Sequence, residues 1–160
     1  MVTIQVLCVG KLKEKHFAAA CAEYEKRLGG FCKLSVTELP EERLPEDPAP
    51  AQIAAALEKE AGRILAKIPK GAKCTALCVE GDTLSSEALA GKLEHWTVGG
   101  ASQLVFVIGG SFGLHPSVKA AADLRLSMSP MTFPHHLARV MVLEQLYRAF
   151  QITKGTKYHK

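Results

Sequence analysis

Apolar and polar positions along this chain switch repeatedly between two rhythms. Thr3 to Val9 is a short β-branched run closed by Gly10 and reads as a strand. Lys13 to Leu28 places Phe17, Ala20, Cys21, Tyr24 and Leu28 on one helical face, and Gly29-Gly30 stops it. Cys32 to Leu39 alternates through Leu34, Val36 and Leu39 as a second strand. Pro40 to Pro50, with four prolines and the acids Glu41, Glu42, Glu46 and Asp47, reads as a solvated loop. Ala51 to Ile68 carries an apolar stripe of Ile53, Leu57, Ala61, Ile64 and Ile68, then breaks at Pro69-Lys70-Gly71. Cys74 to Val79 is a third strand. Ser85 is placed to cap a helix running to about Trp96, with Leu89, Leu93 and Trp96 inward. Leu104 to Ile108 is a fourth strand, and Pro116 opens a short helix reaching about Asp123. Leu124 to Ser129 is a fifth short strand, and His136 to Phe150 the last helix. Strands alternating with helices predict an α/β fold with a mostly parallel sheet flanked by helices.

The last helix departs from a simple stripe. Leu137, Val140, Met141, Val142, Leu143, Leu146, Tyr147, Ala149 and Phe150 spread round most of its circumference. A helix of that kind is covered on several sides, either by a second subunit or as a central helix of one chain.

Length and composition narrow the class. The 160 residues suit one domain, spanning 1–160, that buries roughly 70% of its unfolded surface without needing disulfides. Hydrophobic content of 48% and charged content of 22% are ordinary, and a net charge of +4 points to no particular partner. No run approaches the ~20 apolar residues of a membrane span. Val2 to Val9 is too short for a signal sequence and has no basic residues before it. The expectation is a soluble cytoplasmic protein. The cysteines Cys8, Cys21, Cys32, Cys74 and Cys78 are odd in number and lack framework spacing, so they read as small buried hydrophobes. His135 and His136 have no cysteine nearby in sequence, and no metal site is expected.

Three segments carry candidate chemistry. Gly109-Gly110-Ser111-Phe112-Gly113 follows the apolar fourth strand directly. A glycine-rich turn at the carboxyl end of a parallel strand is where open α/β sheets place ligands, although a plain tight turn accounts for it equally. It lacks the Gly-x-Gly-x-x-Gly and acidic partner of a dinucleotide site and the Gly-Lys-Ser/Thr of a Walker loop. Leu126 to His135 is apolar and hydroxylic and is stiffened by Pro130 and Pro134. It suits the faces and edge of a flat heteroaromatic ring, or is an ordinary strand-to-helix connection. From Pro134 onward five bases (Arg139, Arg148, Lys154, Lys157, Lys160) face one acid, Glu144, with Tyr158 and His159 interleaved. That tail suits a phosphate backbone and a stacked base, or is a frayed solvated end.

Together these segments resemble a known family. The strand into Gly109-Gly110-Ser111-Phe112-Gly113-Leu114, the run Leu126 to His135, Arg139, Glu144-Gln145-Leu146-Tyr147-Arg148-Ala149 and the terminal Tyr158-His159-Lys160 are similar to the ribosomal large-subunit RNA pseudouridine-N3 methyltransferases (RlmH type), small members of the SPOUT class. The likeness extends to Val9-Gly10-Lys11 and Glu23-Tyr24 and is thinnest over 40–50. It implies a C-terminal trefoil knot, S-adenosyl-L-methionine as cofactor, and a homodimer whose active sites draw on both chains. By position it implies that Leu77, Gly109, Met128, Ser129, Pro130, Met131, Thr132 and Phe133 line the cofactor pocket, with Gly110 and Gly113 shaping the same turn. The implied reaction is methylation at N3 of a pseudouridine in a stem-loop of 23S ribosomal RNA on the assembled ribosome. His135, Arg139, Tyr158 and His159 are the implied catalytic candidates. Alternatives are a knotted methyltransferase of another rRNA or tRNA base, or a non-catalytic ribosome-binding factor.

Overall fold

The computed structural model describes all residues, Met1–Lys160. Its strands are β1 (Thr3–Val9), β2 (Lys33–Leu39), β3 (Lys73–Thr83), β4 (Gln103–Ile108) and β5 (Leu124–Ser127). Its helices are α1 (Lys15–Leu28), α2 (Pro50–Lys67), α3 (Ser86–Val98), α4 (Pro116–Ala121) and α5 (His135–Lys154). The strands form one sheet in the order β2-β1-β4-β3-β5, and every pairing is parallel. Val6 in β1 stands between Val36 and Phe106, so β1 and β4 are central and buried on both faces.

Alternate strand residues feed two cores. Ile4, Val6, Cys8, Leu104, Phe106 and Ile108 pack with α1, α3 and α5. Leu7, Val9, Val105 and Val107 point the other way, where Ile64 of α2 and Val118 of α4 cover them. α5 lies against both α1 and α3. This explains the wide spread of its apolar positions: Val142, Leu143, Leu146 and Ala149 are buried within one chain. Val140, Met141, Tyr147 and Phe150 stay half-buried.

Two differences from the sequence-based reading matter for function. First, β3 runs on to Thr83 rather than stopping at Val79. Its pairing with β5 breaks after Leu77↔Leu126 and resumes at Asp82↔Leu126 and Thr83↔Ser127, so residues 78–81 bulge out. Second, the 40–50 loop is not simply solvated. Arg63 of α2 donates to the Pro40 carbonyl (3.0 Å) and to Glu42 (3.2 Å), and buried Glu60 accepts the Glu42 N–H (2.8 Å). These bonds tie the start of the loop back over the sheet.

Candidate active site: two cavities and a pinned tail

β1 and β3 are each followed by a helix on the α1/α3/α5 side, whereas β4 is followed by α4 on the opposite side. Chain segments that leave neighbouring strands in opposite directions open a crevice at their carboxyl ends, and here β4 has one on each flank. The β4 turn is tight. Gly113 N–H donates to the Gly110 carbonyl (3.1 Å), and Gly113 has φ of +80°. A Cβ on Gly109 would stand 2.5 Å from the Gly113 carbonyl oxygen, so the turn closes only around a bare backbone. Phe112 at its tip is about half exposed.

A cavity of about 690 Å³ lies between this turn, the β3 bulge and the 127–134 loop, within the size range of small-molecule sites. Leu77, Gly109, Gly110 and Gly113 are on its wall, as are Met128, Ser129, Met131, Thr132 and Phe133; Pro130 is not. The bulge contributes Cys78, Val79 and Glu80, with Glu80 ion-paired to Lys119 of α4. Ser127 hydroxyl donates to the Ser129 carbonyl (2.9 Å), and Ser129 hydroxyl accepts the Met131 N–H (3.0 Å), which fixes the loop's course. Apolar side chains facing backbone polar groups suit a flat ring bearing polar edges. His135, the first residue of α5, is also on this wall. Burial and the neighbouring His136 hold its pKa below the ordinary histidine value, so it is neutral at pH 7 and offers a lone pair.

The tail is not frayed. Tyr158 hydroxyl donates to Glu144 (3.0 Å), and Arg148 donates to Glu144 (2.7 Å) while stacking over the Tyr158 ring (4.7 Å to the centroid). Arg148 also donates to His159 Nδ1 (3.1 Å), which leaves the proton on Nε2 to donate to Glu87 of α3 (2.7 Å). Burial, then the Glu144 carboxylate, pushes the Tyr158 pKa up, so the phenol keeps its proton. Glu144 lines a second cavity of about 490 Å³, with Ser85, Ser86 and Gln145. Leu126 and Met128 line both cavities. Within one chain, neither Tyr158 nor His159 reaches the wall of the first cavity. Neither of the residues that organise the tail is a site candidate in the sequence: Glu144 figures there as the segment's one acid and in the Glu144–Ala149 motif, and Glu87 not at all. The Glu144–Arg148 pair has helical i,i+4 spacing and was available as a signal; Glu87 lies 72 positions from His159 and had none.

Arg139 is buried and turned inward. Its guanidinium donates to Glu38 at the end of β2 (2.8 Å) and to the Gly10 carbonyl at the end of β1 (3.3 Å). These bonds lock the strand ends to α5 and leave the side chain unavailable to an external phosphate. Burial would raise the Glu38 pKa, but hydrogen bonds from Arg139 and the Leu12 N–H outweigh it and keep the carboxylate charged. Replacing Arg139 with Leu should cost about 2–4 kcal/mol, less than a fully buried pair because Glu38 is partly solvated. Chemical denaturation of the two proteins measures that difference. No three His, Cys, Asp or Glu side chains are grouped to hold a metal, and no helix is long and apolar enough to cross a membrane.

Comparison with known proteins fits this geometry. A family model described as "Predicted SPOUT methyltransferase" matches residues 2–159. Among solved structures, a probable methylase family protein from Haemophilus influenzae Rd KW20 superimposes with a TM-score of 0.55. That alignment covers 98% of this chain and 70% of the other at 13% identity, so the likeness is one of fold.

Proposed function

The chain belongs to the SPOUT methyltransferase family, and from that premise we propose that it is a pseudouridine-N3 methyltransferase of large-subunit ribosomal RNA, acting as a homodimer on the assembled ribosome in the cytoplasm. Residues 1–160 form one methyltransferase unit, with the trefoil knot of its class around the β4 turn and the 127–134 loop. The first cavity fits S-adenosylmethionine in size and chemistry, with an apolar floor for a ring, backbone groups for its edge and the bare backbone of Gly109, Gly110 and Gly113 beside it. Leu77, Gly109, Gly110, Gly113, Met128, Ser129, Met131, Thr132 and Phe133 would hold it. When bound, it supplies a methyl group on a positively charged sulfur.

The observation that carries the reading is the separation of the two halves of the site. Within one chain the ring-binding wall and the basic aromatic tail stay apart, with Arg148, Tyr158 and His159 on the wall of neither cavity; in the proposed dimer a second copy would complete the site by presenting its tail. Arg148, which keeps N–H groups beyond those given to Glu144 and His159, is then a hydrogen-bond donor for a carbonyl that flanks N3, where negative charge develops as the N3 proton passes to solvent. Tyr158, whose phenol stays protonated and gives its one hydrogen to Glu144, holds that carboxylate in place rather than acts as a base. The Glu144 carboxylate sets the orientation of Arg148 directly, and Glu87 does so through His159. Holding the base N3 in line with the methyl–sulfur bond supplies much of the rate.

The test is transfer of labelled methyl to intact ribosomes and to naked ribosomal RNA, with the modified nucleotide mapped by mass spectrometry. Methylation of one pseudouridine at N3, on ribosomes only, supports the proposal. A methyl group on another rRNA or tRNA base overturns the substrate, and salt-sensitive ribosome binding without turnover overturns the enzyme.

Cysteine chemistry gives an independent check on the cavity. Cys8, Cys21, Cys32 and Cys74 are buried, with burial pushing Cys8 up to about 12 and Cys32 and Cys74 to about 11. Cys78 alone is partly accessible, on the cavity wall. A thiol reagent should modify one cysteine of the native protein, and saturating S-adenosylhomocysteine should slow that reaction at least about tenfold.

A further inference from the structure

The β4 turn is the part of the first cavity's wall with the least packing behind it. Neither core cluster includes any of residues 109–113, and Phe112 at the tip is about half exposed. Three of the five residues are glycine, which loses the most conformational freedom when it is ordered. Such a turn depends on hydrogen bonds for its shape, and one of them comes from far along the chain. Glu41 accepts the Ser111 N–H (3.1 Å). Both neighbours of Glu41 are fixed by α2: Arg63 holds the Pro40 carbonyl, while Glu60 and Arg63 hold Glu42. Residues 40–42 are thus a strap from α2 to the turn.

Gly110 points to the same contact. It does not have positive φ, so no left-handed backbone calls for glycine there. What excludes a side chain is space. The three nearest neighbours of a Cβ on Gly110 would all be atoms of Glu41, Oε1 at 2.7 Å, Cδ at 3.0 Å and Oε2 at 3.4 Å. The carboxyl group therefore packs on the backbone of one turn residue while it bonds the N–H of the next. Gly110 and Ser111 are both on the cavity wall, and Glu41 is not. Its carboxylate grips the turn from outside the space a ligand would fill.

We propose that Glu41 is a positioning residue for cofactor binding: held by the α2 strap, its carboxylate fixes the β4 turn through the Ser111 N–H and keeps the cavity wall in its binding shape without touching the ligand. This rests on the cofactor reading above. A turn held in advance spares the ligand the cost of ordering it. Gly110 is glycine because the carboxyl group occupies the place of its side chain.

Calorimetric binding of S-adenosylhomocysteine and of methylthioadenosine, which lacks the amino-acid end, tests this on the full-length protein, together with amide hydrogen exchange at Ser111. Glu41→Ala removes the acceptor. It should weaken both ligands by the same factor, about tenfold, and speed Ser111 exchange in the ligand-free protein by about tenfold. Glu41→Gln keeps an oxygen for the Ser111 N–H and should restore binding to within about threefold of the unaltered protein. Gly110→Ala should weaken both ligands by displacing the carboxyl group, yet add no more than about twofold to Glu41→Ala, where that obstacle is gone. Undiminished binding or unchanged Ser111 exchange in Glu41→Ala overturns the proposal. So does unequal loss of the two ligands, a Glu41→Gln protein as weak as Glu41→Ala, or additive losses in the double variant. An unaltered protein that binds neither ligand overturns the cofactor reading, and this proposal with it.

Discussion

Gly109→Ala should abolish cofactor binding while leaving a folded protein. The added methyl group would stand 2.5 Å from the Gly113 carbonyl oxygen, 2.7 Å from its carbon and 3.1 Å from Leu114 Cδ2. The two nearest atoms are backbone of a turn closed by its own Gly110–Gly113 hydrogen bond, so moving a side chain cannot relieve the worst contacts. The backbone must open, and the wall of the first cavity opens with it. Affinity for S-adenosylmethionine should fall at least about a hundredfold, some 2.7 kcal/mol. The cost to stability should be smaller, about 1–3 kcal/mol, typical of overpacking at one site. The two core clusters draw on residues up to Ile108 and from Leu114 onward, and neither includes the turn. Calorimetric titration and thermal unfolding separate the two effects. Undiminished cofactor affinity would mean that the turn is no part of the pocket.

The reason Gly109 matters was only half legible in the sequence. Glycine after a buried strand marks a place where something approaches the backbone, and crowding of a ligand was the natural reading. The structure shows that the nearest neighbour is the chain itself, four residues on, a contact that spacing does not reveal. The strands were legible because apolar runs and period-two alternation survive wherever a sheet is buried. The end of β3 was not, because Glu80-Gly81-Asp82 has the composition of a turn, while its resumed pairing depends on β5, more than 40 positions away. Strand order was hidden for a similar reason: alternating strands and helices announce a parallel sheet but not which strands are neighbours. Glu41 shows the limit most clearly. A glutamate in a proline-rich loop has the signature of a solvated residue, and its partner, Ser111, lies 70 positions further along the chain. The tail stood between these extremes. Its basic and aromatic residues were visible, but their order comes from Glu87 and Glu144, and the choice between a frayed end and a built surface needed both.

Removing Tyr158–Lys160 should eliminate methyl transfer, by about a thousandfold or more if orientation and donor placement supply the rate, and leave cofactor binding within about twofold. The prediction follows from where the tail is held. The tail contacts Glu144, Arg148 and Glu87, and neither Tyr158 nor His159 is on the wall formed by Gly109, Met128 and Phe133. A residue can matter to the chemistry and not to the cofactor of its own chain if it serves the cofactor of another. Mixing the truncated protein with Gly109→Ala therefore gives a sharper result than either alone. Each is inactive by itself, the first for want of a tail and the second for want of a cofactor pocket. In a mixed dimer, the truncated chain offers an intact pocket and the Gly109→Ala chain an intact tail, which together make one complete site. After subunit exchange at equal concentrations, half the dimers are mixed and each has one working site of two, so activity should return to about a quarter of the unaltered protein. A tail acting on its own chain's cofactor would leave one defect in every site, and the mixture would stay inactive at every ratio.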